Sequence, residues 1–165
     1  MLRTGLLSAF GILAAFWIVT GEALAHGDSH ATKKRAEMKE TDFGRTGDPK
    51  KVSRTVEIDM SDKMRFTPAA LTVKRGHTVR FVAKNSGKQM HEMVIGSMTE
   101  LKEHADLMEK HPGMEHEEPY MVHVEPGKQA EIVWQFTKAG EFNYGCLIPG
   151  HLDAGMVGSI KVTEK

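Results

Sequence analysis

The 165-residue chain has a single cysteine, so no disulfide can form within it. The fold must therefore rest on its core and on any metal it holds. An excess of one charge is missing too, because 22 Lys and Arg balance 22 Asp and Glu. That balance, with no RNA- or DNA-binding motif in view, argues against a nucleic-acid partner. No apolar run reaches the roughly 20 residues that a membrane-spanning helix needs. No internal repeat is visible, and no His-x-His pair occurs anywhere.

The short apolar run that does exist, Leu6 to Val19, follows Arg3 and precedes Ala23-Leu24-Ala25. A charged start, an apolar stretch and a small-x-small site together predict a secretory signal peptide over residues 1–25. No twin arginine is present, which favours export unfolded with any metal loaded afterwards. With no Cys near the cleavage site, lipid attachment is excluded, and no membrane anchor remains after processing. The expected destination is a bacterial periplasm.

Residues 26–51 are polar and nearly free of large apolar side chains, which reads as a flexible arm. From residue 52 to 165 the pattern changes to strands. Val56, Ile58 and Met60 alternate, as do Val79, Phe81 and Ala83, and later Ala130, Ile132, Trp134 and Phe136. Seven or eight short strands separated by turn signals predict an all-β, Greek-key β-sandwich. One insertion, about 97–119, breaks the pattern. Ser97-Met-Thr-Glu100 fits a capping box, and Leu101, Ala105 and Met108 fall on one helical stripe, so a short helix is expected there, followed by a loop.

The chemistry concentrates in Cys146-Leu-Ile-Pro-Gly-His151-Leu-Asp-Ala-Gly-Met156. A thiolate, an imidazole and a thioether at Cys-x4-His-x4-Met spacing supply three of the four groups that hold a mononuclear blue-type copper. The run Gly140 to Cys146 reads as a strand, with Gly145 leaving room for the metal. Pro149-Gly150 is a turn that brings His151 back toward Cys146. A fourth ligand should come from another strand, and His91 in Gln-Met-His-Glu-Met-Val-Ile is the candidate.

With these residues the chain resembles the cupredoxins, the plastocyanin–azurin–rusticyanin superfamily, over about Val56 to Val162. The Cys-to-His spacing is similar to the rusticyanin and auracyanin loop. In character the chain is similar to periplasmic copper-tolerance cupredoxins of the CopI-like kind. The resemblance implies one type 1 copper, with Cys146, His91 and His151 as its strong donors and Met156 as a weak axial one. A dinuclear purple-copper centre would need a second thiolate in the loop, where Gly150 stands. One departure is visible: many family members have Asn after the first His, tying the ligand loops together, whereas this chain has Glu92.

Nine His and eleven Met exceed what one copper requires. His104, Met108 and His111 would share a helix face, where packing is the simpler reading for the methionine. His111, Met114 and His116 form a local group able to bind metal weakly. Cleavage after Ala25 would also expose His26, whose amine and imidazole could chelate Cu(II), with His30 nearby. The expected function is a monomeric copper-tolerance protein that binds and redox-cycles one copper and passes electrons to a partner such as a cytochrome or copper oxidase. A diffusible electron-transfer cupredoxin of a respiratory or photosynthetic chain is the alternative, with Leu147, Ile148 and Pro149 ringing an exposed edge of His151. Independent catalysis is not expected from one domain without His-x-His pairs, although copper-oxidising turnover stays open.

Overall fold

The computed structural model describes residues 38–111 and 116–164. The first elements are short: Glu40–Thr41 (β1), Gly44–Thr46 (β2) and a single 3-10 turn at Pro49–Lys51. Val52–Ser61 (β3), Arg65–Thr67 (β4), Ala70–Lys74 (β5), Thr78–Asn85 (β6) and His91–Gly96 (β7) follow. The helix Met98–Lys110 (α1) comes next, then Met121–Val124 (β8), Gln129–Gln135 (β9), Gly140–Gly145 (β10) and Val157–Thr163 (β11). The eleven strands among the described residues exceed the seven or eight expected, because β1, β2 and β4 are too short for alternation to show.

The strands form two sheets, ordered β1-β2-β9-β6-β3-β4 and β5-β11-β10-β7-β8. The pairs β3–β6 and β5–β11 are parallel, and every other pairing is antiparallel. This is the expected all-β sandwich with one inserted helix. Ile58, Phe81, Ile132 and Trp134 from the first sheet share one buried cluster with Met93, Ile95, Tyr144 and Ile160 from the second. Burying one such side chain contributes roughly 1.5–3 kcal/mol.

The polar arm expected over 26–51 is structured in its latter part. Residues 40–46 extend the first sheet, with Arg45 opposite Gln135 and Thr46 opposite Trp134. One aromatic anchors this addition. Phe43 is buried, stacked at 5.3 Å on Trp134 and edge-on at 5.3 Å to Tyr120. Gly44 permits the close approach, since a Cβ there would stand 2.3 Å from Gln135 O. The signal peptide at 1–25 and the first part of the arm, with His26 and His30, lie outside the described residues.

The helix starts as its capping box requires. Ser97 Oγ accepts from Glu100 N–H at 3.2 Å, and Glu100 Oε2 accepts from Ser97 N–H at 2.9 Å. Leu101 and Met108 are buried and Ala105 is partly so. Leu101 joins Val94, Met121 and Leu147 in a small satellite core, which fixes the helix over β7 and the loop after β10. Among the described residues, no helix is long and apolar enough to cross a membrane.

Candidate metal centre

Two adjacent strands deliver the central donors. β7 pairs antiparallel with β10, with Tyr144 opposite Ile95 and Gly145 opposite Val94. The chain leaving β10 therefore runs alongside the start of β7, and Cys146 comes beside His91. Pro149-Gly150 then reverses the chain: Gly150 takes φ +80°, and His151 N–H donates to Ile148 O at 2.9 Å. Cys146 N–H donates to Met156 O at 3.1 Å and Met156 N–H to His151 O at 3.0 Å. These bonds close the loop on itself and hold Met156 beside Cys146.

The result is a compact donor group. One ligand atom each from His91, Cys146 and His151 lie within 4.8 Å of one another, and all three residues are buried. Cys146 Sγ is 3.3 Å from His151 Nδ1. The two imidazole centroids are 5.2 Å apart. Met156 is fully buried next to them.

The state of each ring nitrogen matters most. His91 Nε2 lies 3.3 Å from Asp62 Oδ1, while its Nδ1 is buried with no hydrogen-bond partner. A buried, unpartnered nitrogen is costly in a protein interior. It is explained if Nδ1 is a metal donor and the carboxylate fixes the tautomer from behind, as outer-shell carboxylates do. Asp62 is itself held by Lys88 N–H at 2.8 Å and Gln89 N–H at 3.2 Å. The Lys88 amide keeps its carboxyl below the usual range, against some desolvation.

Burial pushes the Cys146 thiol up to about 12, although amides of Glu92 and Ile148 work against the shift. The metal-free thiol is therefore protonated at neutral pH. Burial also lowers His151, helped by the nearby His91, so its imidazole is kept neutral and able to donate a lone pair. A soft sulfur with two imidazoles suits a copper ion.

Glu92 takes over the tie expected from Asn. Its N–H donates to Cys146 Sγ at 3.3 Å, and its Oε2 accepts from Leu147 N–H at 3.3 Å. His123, opposite it on β8, brings Nε2 to 3.2 Å from Oε1 without hydrogen-bonding alignment. Burial raises the Glu92 carboxyl to about 7, and the Leu147 amide offsets only part of that.

Two expectations about the loop change. Gly145 makes room for leucines and not for the metal: a Cβ there would meet Leu101 and Leu152 at 3.3 Å. Leu147 does not ring His151 at the surface, because it is 1 % exposed and packs inward on Leu101. Ile148 is half-buried and Pro149 exposed, beside an imidazole that is itself 8 % exposed.

The accessory histidines also rearrange. His111 is the exposed C-cap of α1, and Met114 lies outside the described residues. His116 instead meets His104, which the sequence places only on a helix face. Asp62 and the His104–His116 pair carried no local signal, since each contact joins residues distant in sequence.

Comparison with known proteins agrees with this geometry. A family model described as copper binding proteins, plastocyanin/azurin family, matches residues 52–163. The chain belongs to this family of cupredoxins. It is 51% identical over 153 residues to the copper-resistant cuproprotein CopI of Rubrivivax gelatinosus, covering 91% of this chain and 92% of the relative. It is 37% identical over 149 residues to CopI of Pseudomonas aeruginosa, covering 73% and 82%. Among solved structures, auracyanin B superposes with a TM-score of 0.61 at 18% identity, over 73% of this cupredoxin and 96% of that chain. Reduced auracyanin from Roseiflexus castenholzii gives 0.59 at 22% identity, over 68% and 98%. These structural likenesses bear on the fold alone. Copper is the metal of this cupredoxin, and the His-Cys-His group is where the fold gathers donors for it.

Proposed function

We propose that this cupredoxin is a periplasmic copper-tolerance protein that holds one type 1 copper through His91, Cys146, His151 and Met156 and cycles it between Cu(I) and Cu(II). The observation that carries the ligand set is the orphaned Nδ1 of His91, buried beside Cys146 and His151. Copper supplies a one-electron couple when bound there. The rest is the work of this chain. Cys146 would give up its proton to offer a thiolate, and His91 and His151 would present ring-nitrogen lone pairs. Asp62 orients His91 from behind, while Glu92 fixes Leu147 and, through its amide, the Cys146 sulfur. A framework that holds the donors in place before the metal arrives keeps rearrangement between oxidation states small. The copper-resistant relatives support the physiological role, and the predicted signal peptide supports the compartment. The protein acts as a monomer handing electrons to a cytochrome or copper oxidase, not as an independent enzyme.

The decisive experiment titrates copper into the chain beyond residue 25 and into Cys146→Ser. The parent should develop an intense charge-transfer band saturating at one equivalent, and the variant should stay folded without it. A band surviving in the variant would refute the thiolate assignment. Deleting the gene should raise copper sensitivity. The alternative, a diffusible electron carrier, is favoured by the partly exposed edge of His151 beside Ile148 and Pro149. Fast electron exchange with a periplasmic cytochrome, combined with unchanged copper sensitivity on deletion, would decide for it.

A further inference from the structure

The second group of imidazoles lies apart from the His-Cys-His cluster. His104, on α1, and His116, on the segment leading into β8, bring their Nε2 atoms to 2.7 Å. Their ring centroids are 4.6 Å apart at an interplanar angle of 40°. One ring donates through Nε2 and the other accepts, so each spends that nitrogen on another imidazole. His116 Nδ1 is enclosed and has no hydrogen-bond partner.

The surroundings favour a cation. Both rings line a groove of about 410 Å³ with Glu100, Glu103 and Glu118. Glu100 is committed to the helix cap, and Glu103 is exposed on the helix. Glu118 stands two residues beyond His116 and close enough to act on His104 by its charge. Its Oε2 binds Lys39. Burial holds His104 below the ordinary imidazole range, with the charges of His116 and His123 lowering it further and Glu118 opposing. Paired imidazoles beside a carboxylate are a donor set that suits borderline divalent ions.

The spacing bears on the geometry a shared ion would take. Two nitrogens at about 2.0 Å from one metal stand about 2.8 Å apart in a tetragonal arrangement and about 3.3 Å apart in a tetrahedral one. From 2.7 Å the tetragonal case needs the smaller opening, and that geometry is typical of Cu(II).

We propose that His104 and His116, with the Glu118 carboxylate, form a second copper site that takes Cu(II). The choice of copper over another divalent ion rests on the copper-tolerance reading; the donor pair itself does not. Such a site would give the chain a place for oxidised copper separate from the thiolate centre.

The test titrates Cu(II) into the full processed chain, following the visible band and the electron paramagnetic resonance spectrum. A second equivalent should bind without adding to the charge-transfer band, with a tetragonal signal split by two imidazole nitrogens. In H104Q/H116Q that signal should disappear, while the band at one equivalent persists and reports an intact fold. Should the double variant not fold, the single variants H104Q and H116Q should each leave one nitrogen splitting. Glu118→Gln should keep both nitrogens and weaken the second equivalent by about 10-fold or more. A second equivalent of unchanged affinity and spectrum in H104Q/H116Q would overturn the site, as would binding of only one equivalent by the parent. If the charge-transfer band is absent but the two-nitrogen signal appears, the thiolate reading fails and this one stands.

Discussion

Glu92 places an acid where water barely reaches, and its effect on stability follows from proton linkage. One oxygen accepts from Leu147 N–H, the other has no aligned donor, and burial raises the carboxyl from 4.5 to about 7. A group with a raised folded pKa contributes stability that is fully present below its unfolded pKa and is lost as pH climbs through the folded one. For Glu92 the window runs from about 4.5 to about 7, and the shift amounts to on the order of 3 kcal/mol. Asp62 is shifted the other way, so its contribution fades only as pH falls below the usual carboxylate range. Glu92→Gln keeps an acceptor for Leu147 without a buried charge. Urea unfolding of the metal-free protein should show E92Q matching the parent at the acid end of this window. It should gain on the parent as pH rises and level off above about pH 7. A gap independent of pH would locate the cost elsewhere. Sequence alone marked Glu92 only as a replacement for Asn. Its reach to Leu147 depends on how β7 registers against β10, which no local pattern encodes, and the same holds for Asp62 behind His91.

At the scale of elements, legibility followed length and periodicity. β3, β6 and β9 are legible because they are seven to ten residues long and carry alternating apolar residues that enter the core (Val56, Ile58 and Met60; Val79, Phe81 and Ala83; Ile132 and Trp134), and α1 is legible from its capping box and apolar stripe. β1 and β2 are not, because a segment held by one aromatic, Phe43, has no period to read. Nor does alternation reveal which strands pair, so the parallel β3–β6 and β5–β11 ladders could not be anticipated. The helix has a further role through Leu101, which is 1 % exposed and packs against Val94, Met121 and the ligand-loop residue Leu147. Leu101→Ala should cost about 2–5 kcal/mol, as large-to-small core substitutions do. Because Leu147 loses its support, copper should also leave the variant faster than the parent. Denaturant unfolding of the metal-free form and the decay of the charge-transfer band under a chelator would measure the two effects. A stability loss without faster copper release would show that the loop is held by Glu92 and the backbone alone.

For the whole molecule, the metal and the fold are coupled, because His91 reaches Cys146 and His151 only when β7 lies against β10. On the proposed ligand set, the unfolded chain keeps Cys146, His151 and Met156 close in sequence but loses His91, so copper should bind the native state preferentially. Ligand at 100 times its dissociation constant then adds about 2.7 kcal/mol to stability. The proton balance sharpens this into a measurement. With the Cys146 thiol pushed up to about 12, essentially every metal-free molecule carries that proton at about pH 8. His151, lowered by burial, is already neutral there, and Glu92 is largely ionised. Binding at the thiolate centre must therefore expel close to one proton per copper. Apparent affinity should rise about tenfold for each pH unit between about 8 and 10. In weakly buffered solution the first equivalent of copper should release that proton as the charge-transfer band grows, and Cys146→Ser should release almost none. Band growth with no proton released would mean that the thiol is already ionised in the folded protein. The sulfur would then gain more from the Glu92 amide and its other neighbours than it loses on leaving water.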